Sequence, residues 1–197
     1  MAELVDTPHG PSRVHLHPVD APRAALVLGH GAAGGVESPD LVGAAEAAND
    51  AGLSVALLEQ PYRVAGRRRP APARQLDEAW LAVVPLLFPD LPLIVGGRSL
   101  GARVACRTAP EAAAVAVLCL AFPVHPPGKP EKTRLSELDA VTLPTLVVQG
   151  ERDPFGIPPP GPNRQVVLIP GTHSLRSSST VASPVSDWLA RLLPNAA

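Results

Sequence analysis

The chain has 197 residues, of which 25 are proline, 16 glycine and only six aromatic, while 46% are hydrophobic. That length fits one domain spanning 1–197, with a core large enough to need neither disulfides nor metals, and proline plus glycine stays below the roughly 25–30% of low-complexity chains. Seventeen basic against eighteen acidic residues leave a net charge of −1, which excludes a global electrostatic pull toward nucleic acid or an anionic membrane.

The N-terminus, MAELVDTPHG, carries no basic-then-apolar leader pattern. No apolar run approaches the ~18 residues of a membrane span. A cytoplasmic protein is therefore expected. Cys106 and Cys119 lie inside apolar runs and read as buried, reduced thiols, not as a disulfide or metal ligands.

In chain order, Arg13–His17 alternates polar and apolar residues and predicts a partly exposed edge strand. Short apolar runs at Ala24–Leu28, Leu53–Leu58, Leu91–Val95, Val115–Leu120, Leu143–Val148 and Gln165–Ile169 suit strands buried on both faces of a parallel sheet. A helix is expected over Pro39–Ala51, with Ser38 as N-cap, Pro39 at the first position and Gly52 as the stop. Arg74–Phe88 places Leu76, Ala79, Trp80, Val83 and Leu87 at helical spacing, with Pro85 bending its end. Leu100–Thr108 and Ser183–Leu193 complete the helices. Strands alternating with helices predict an α/β fold with a mostly parallel central sheet flanked by helices.

The chemistry concentrates after strands. Leu93–Val95 runs into Gly97-Arg98-Ser99-Leu100-Gly101, a G-x-S-x-G turn followed by a helix. A strand-to-helix turn this tight holds its serine in strained backbone and demands small residues two before and two after. Ser99 is thus the candidate nucleophile, at a helix N-terminus that favours developing negative charge. Serine needs a base. His9, His15 and His17 precede the sheet core and read as surface residues, and His125 sits in a proline-rich loop. His173, just past the last strand, is the candidate base, 74 residues from Ser99. Loops at the carboxyl ends of parallel strands share one face, so the two can meet. The base needs an orienting acid; Asp153 after the Leu146–Val148 strand is preferred, with Glu151 as the fallback. Gly29-His30-Gly31-Ala32-Ala33-Gly34-Gly35 lets backbone N–H groups approach an oxyanion, and the hole is assigned to the Ala32 and Leu100 N–H groups. His30 reads as a structural hydrogen-bonder of that loop.

GHGAAGG at 29–35, QPYRVAG at 60–66, GGRSLG at 96–101, FPVHPPGKPEKTR at 122–134, QGERDPFG at 149–156 and GTHSL at 171–175 together resemble a small α/β-hydrolase. The likeness is to the dienelactone-hydrolase-like group that includes the testis-expressed hydrolase-like proteins. The resemblance implies a serine-hydrolase scaffold with Ser99, Asp153 and His173 as triad. Dienelactone hydrolases proper use cysteine where this chain has Ser99, so their substrate does not transfer. Thr172 stands where the group often has an acid.

About 20 residues separate the strand at 115–120 from that at 143–148, too few for the helical lid of larger hydrolases, so an open, lidless site is expected. The flanking loops are basic: Arg63, Arg67, Arg68 and Arg69 in one, and Lys129, Lys132 and Arg134 against Glu131 in the other. Arg63, Arg67, Arg98 and Lys129 are the candidate rim residues for an ester or thioester, neutral or anionic. The expected activity is serine-dependent hydrolysis of such a small molecule, with no cofactor, metal, nucleic acid or membrane. A non-catalytic interaction module on the same scaffold is the alternative, since fold does not fix function.

Overall fold

The computed structural model describes residues 2–193. Its elements are β1 (Ala2–Val5), β2 (Ser12–His17), β3 (Ala24–Gly29), α1 (Pro39–Asp50), β4 (Leu53–Glu59), α2 (Pro61–Val64), α3 (Ala73–Leu87), β5 (Leu93–Arg98), α4 (Leu100–Thr108), β6 (Ala116–Leu120), α5 (Leu135–Asp139), β7 (Thr145–Gly150), β8 (Arg164–Ile169) and α6 (Ser178–Leu192). The strands form one eight-stranded sheet in the order β1-β2-β4-β3-β5-β6-β7-β8. β1/β2 and β2/β4 pair antiparallel, and every other pair is parallel.

The continuous apolar runs explain the parallel part. β3, β6 and β7 are buried at every residue, because helices cover both faces of the sheet. One apolar layer lies between the sheet and α1 and α6, and includes Leu26, Leu41, Leu118, Val185 and Trp188. The other lies under α3 and α4, and includes Val27, Trp80, Val83, Val95 and Phe122. Alternate residues of each strand face opposite layers.

Several boundaries differ from expectation for physical reasons. Arg13–His17 is not the edge: β1 pairs outside β2, from Ala2↔His15 to Val5↔Ser12. β5 starts two residues later than its apolar run and continues through Gly96-Gly97-Arg98, since Gly96 packs so tightly on the Leu118 carbonyl of β6 that a Cβ would collide. Ser38 does stand at the N-cap of α1, but its hydroxyl makes no cap bond and is buried without a partner. α6 begins at Ser178, five residues early, because Ser177 caps it by accepting from the Thr180 N–H at 3.3 Å. α3 carries Pro85 in its last turn and runs on to Leu87.

The topology places the site. β4 and β5 lie on opposite sides of β3, so the chain reverses direction there and opens a crevice at the carboxyl ends of β3 and β5. Between β6 and β7 the chain forms only the five-residue α5 and loop, which leaves that crevice uncovered by any long helix.

Candidate active site

Ser99 links β5 to α4 with φ 51° and ψ −101°, a left-handed backbone that a side-chain-bearing residue adopts only at a cost of about 1–3 kcal/mol. What holds it there is close packing of the flanking glycines. A Cβ on Gly97 or on Gly101 would overlap the Gly29 carbonyl oxygen at the end of β3. The turn can therefore press against the neighbouring strand only while both positions stay bare.

The Ser99 hydroxyl lies 2.9 Å from His173 Nε2, and His173 Nδ1 lies 2.8 Å from Asp153 Oδ2. Ser99, Asp153 and His173 thus come from the ends of β5, β7 and β8 and meet in one hydrogen-bonded line. The His173 loop is built onto the Asp153 loop: the Glu151 N–H donates to the Ile169 carbonyl at 3.0 Å and the Arg152 N–H to the Gly171 carbonyl at 3.0 Å. A Cβ on Gly150 would strike the Thr172 carbonyl, so these two turns interlock. Glu151 is exposed and outside the line.

Asp153 has two further partners that sequence reasoning missed. Its Oδ1 accepts from the Phe155 N–H at 2.8 Å, and its Oδ2 accepts from Gln149 Nε2 at 2.8 Å. Gln149 is fully buried, and its amide also donates to the Phe122 and Gly156 carbonyls, which fixes which end is nitrogen. The Phe155 ring meets the His173 imidazole edge to face at 4.4 Å between centroids. One side of the imidazole is thereby walled by an apolar ring.

The glycine-rich loop after β3 is shaped by buried polar groups. His30 Nδ1 lies 2.7 Å from the Gly31 carbonyl, and Nε2 accepts from the Gln60 N–H at 3.1 Å, which sets the tautomer. Burial lowers the His30 pKa and keeps the ring neutral. The Tyr62 hydroxyl donates to the Ala32 carbonyl at 3.1 Å, and burial pushes its pKa up to about 12. Leu100 opens α4, so its N–H has no acceptor within the helix. Ala32 and Leu100 both line the cleft at Ser99.

Arg98 lines the cleft, as expected of a rim residue, and its guanidinium is already paired within the protein. Its Nε lies 2.7 Å from Asp40 Oδ2 in the first turn of α1, and its Nη2 donates to the His173 carbonyl at 3.0 Å. The Asp40 side chain is 1% exposed and that of Arg98 14%, so this is a buried ion pair tying α1, the nucleophile turn and the histidine loop together. Arg63 is half-buried beside Tyr62, Arg67 lines a separate hollow of about 290 Å³ with His9 and Tyr62, and Lys129 is exposed. The cleft above Ser99 encloses about 500 Å³ and is lined, besides Arg98, by Arg103, Arg107 and Arg134, with Leu76, Phe155 and small residues between them. Cys106 and Cys119 are free and buried, with their sulfurs 3.5 Å apart beneath α4. Among the described residues no group of three or more His, Cys, Asp or Glu is placed to hold a metal ion, and no helix is long and apolar enough to cross a membrane.

Comparison with known proteins agrees with this architecture. Residues 22–160 match the family described as alpha/beta hydrolase domain, a span that contains Ser99 and Asp153 and stops short of His173. No curated protein matches the chain. Among solved structures it is similar to XC6422 from Xanthomonas campestris, described as an α/β serine hydrolase without lid. The TM-score is 0.80 at 19% identity, covering 100% of this chain and 96% of that one. It is also similar to Est1E from Butyrivibrio proteoclasticus, with a TM-score of 0.76 at 18% identity and 98% of each chain covered. A dienelactone hydrolase from Anabaena variabilis gives a TM-score of 0.75 at 22% identity, covering 97% of this chain and 96% of that one. Identities this low speak to the fold alone.

Proposed function

Because the chain belongs to the alpha/beta hydrolase domain family, we propose that it is a serine hydrolase that cleaves a small ester or thioester through Ser99, His173 and Asp153. The observation that carries this reading is the continuous line from the Ser99 hydroxyl through the imidazole to Asp153, at 2.9 and 2.8 Å, with the serine in strained backbone at a helix N-terminus. Within the family we place the chain with the testis-expressed hydrolase-like group, on the HPPGKPEK stretch at 125–132.

In this mechanism His173 Nε2 takes the Ser99 proton as the oxygen attacks the carbonyl carbon. The negative charge on the carbonyl oxygen is met by the Ala32 and Leu100 N–H groups, aided by the α4 dipole. His173 then gives its proton to the departing alcohol or thiol, leaving an acyl group on Ser99. Water, deprotonated by His173, attacks that ester and frees the acid and the serine. Asp153, held by Gln149 and the Phe155 N–H, keeps His173 in the tautomer whose Nε2 is bare and stabilises the imidazolium that forms.

Labelling with a fluorophosphonate probe tests the reading. The native protein reacts and Ser99→Ala does not; a native protein that stays unlabelled under conditions where it is folded favours a non-catalytic interaction module. Product analysis separates hydrolysis from acyl transfer to another acceptor.

A further inference from the structure

Four arginines line the cleft above Ser99, and their partners are unequal. Arg98 is spent on Asp40 and the His173 carbonyl. Arg103 makes a two-pronged pair with Glu137, at 2.7 and 2.6 Å. Arg107 makes another with Asp77, at 2.8 and 2.6 Å, and also reaches Glu137 at 3.2 Å. Arg134 has no ion-pair partner among the described residues, although it lies close enough to Arg103, Arg107 and Glu137 to feel their charges. Three cations thus converge on two carboxylates. Arg103, Arg107 and Arg134 line the cleft, whereas Asp77 and Glu137 do not.

Resting on the hydrolase reading above, we infer that this wall is a carboxylate-binding subsite, and that the substrate is an ester carrying one free carboxylate that pairs with Arg134. Two features narrow the ligand. The excess is a single positive charge, which suits a monoanion. Arg103 and Arg107 follow Ser99 by four and eight residues along α4, which at ~1.5 Å per residue sets their backbones about 6 and 12 Å further along the helix. A carboxylate on Arg134, against the same wall, is thereby kept off the scissile carbonyl by a spacer of several carbons.

The state of Arg134 supports this. Burial first, and then the Arg103 charge, lower its pKa. An arriving carboxylate would relieve both penalties, since it replaces lost solvation and offsets the neighbouring positive charge. Asp77 and Glu137 hold Arg103 and Arg107 in place beforehand, so little ordering remains to be done when the ligand binds. Arginine suits the task because its planar fork matches a carboxylate.

The test compares two pairs of esters: the mono-p-nitrophenyl ester of adipic acid with its methyl-capped neutral counterpart, and 4-acetoxybutanoate with its methyl ester. The pairs put the charge on the acyl and the alcohol side respectively. Each rate is normalised to the uncatalysed one. In at least one pair the anionic member should have a kcat/KM roughly tenfold or more higher at low salt, with the ratio shrinking as salt rises. Arg134→Met should bring that ratio close to one, and Arg134→Lys should retain part of it. No preference in either pair, or a preference that survives Arg134→Met, overturns the subsite. Binding of monomethyl adipate to Ser99→Ala, followed by NMR titration, gives a readout independent of turnover. Binding that Arg134→Met abolishes supports the subsite even if no ester is cleaved. Cleavage of the neutral esters without discrimination or binding overturns the subsite and leaves the hydrolase reading standing.

Discussion

Replacing Arg98 by methionine removes the cation paired with the buried Asp40 carboxylate. The Asp40 side chain is 1% exposed; its Oδ1 still accepts from the Leu41 N–H at 3.0 Å, but Oδ2 loses its contact at 2.7 Å. Removing one member of a buried ion pair costs about 3–5 kcal/mol, because the other charge stays desolvated. The lost bond to the His173 carbonyl at 3.0 Å adds about 1 kcal/mol. That is a large share of a typical stability of about 5–15 kcal/mol, and corresponds to a melting temperature on the order of 10 °C lower. Urea unfolding followed by circular dichroism measures it. Arg98→Met with Asp40→Asn should recover much of the loss, since no buried charge then remains. A single-variant cost below about 1 kcal/mol, the level of an exposed pair, would refute the reasoning, as would a double variant no more stable than Arg98→Met.

Gly101→Ala should destabilise by about 1–3 kcal/mol and slow fluorophosphonate labelling, because the added methyl meets the Gly29 carbonyl and lifts α4 from β3; unchanged labelling and melting would contradict that packing. Gln149→Leu removes a donor from Asp153 and from the Phe122 and Gly156 carbonyls, at about 2–4 kcal/mol in total, with slower labelling as Asp153 loses its support. Burial holds the His30 ring below its ordinary 6.5, so the stability it contributes is complete above about pH 6.5 and is lost as pH falls. The stability gap between the native protein and His30→Gln should therefore narrow between pH 7 and pH 5; a constant gap means His30 does not titrate across folding.

The sequence made the strands of the core legible because helices cover both faces, which writes each strand as an unbroken apolar run. The line of Ser99, Asp153 and His173 was approachable for a related reason: each residue follows a strand, and a parallel sheet delivers all such loops to one edge. The four-residue β1 and the short α2 and α5 were not readable, since such segments hold too few residues to show a period. Arg98 lines the cleft as its place beside Ser99 suggests, but nothing local shows that Asp40, 58 residues earlier, pairs with it from α1. Gln149 read as the end of a strand, and only the fold brings three acceptors around its amide. The rest of the rim is set by the fold in the same way. Charge density along the chain drew attention to Arg67 and Lys129, whereas the helical spacing of Arg103 and Arg107 points them into the cleft.

The two buried apolar layers also give the molecule a natural pair of optical probes. Trp80 belongs to the layer under α3 and α4, and Trp188 to the layer against α1 and α6. The Trp80 ring also packs against Gly29, the residue on which Gly101 rests, so its surroundings are continuous with the footing of the nucleophile turn. Single replacement of either indole by phenylalanine isolates the emission of the other. Trp80 then follows events at the Ser99 side of the sheet as ligands bind, while Trp188 serves as an internal standard from the opposite face.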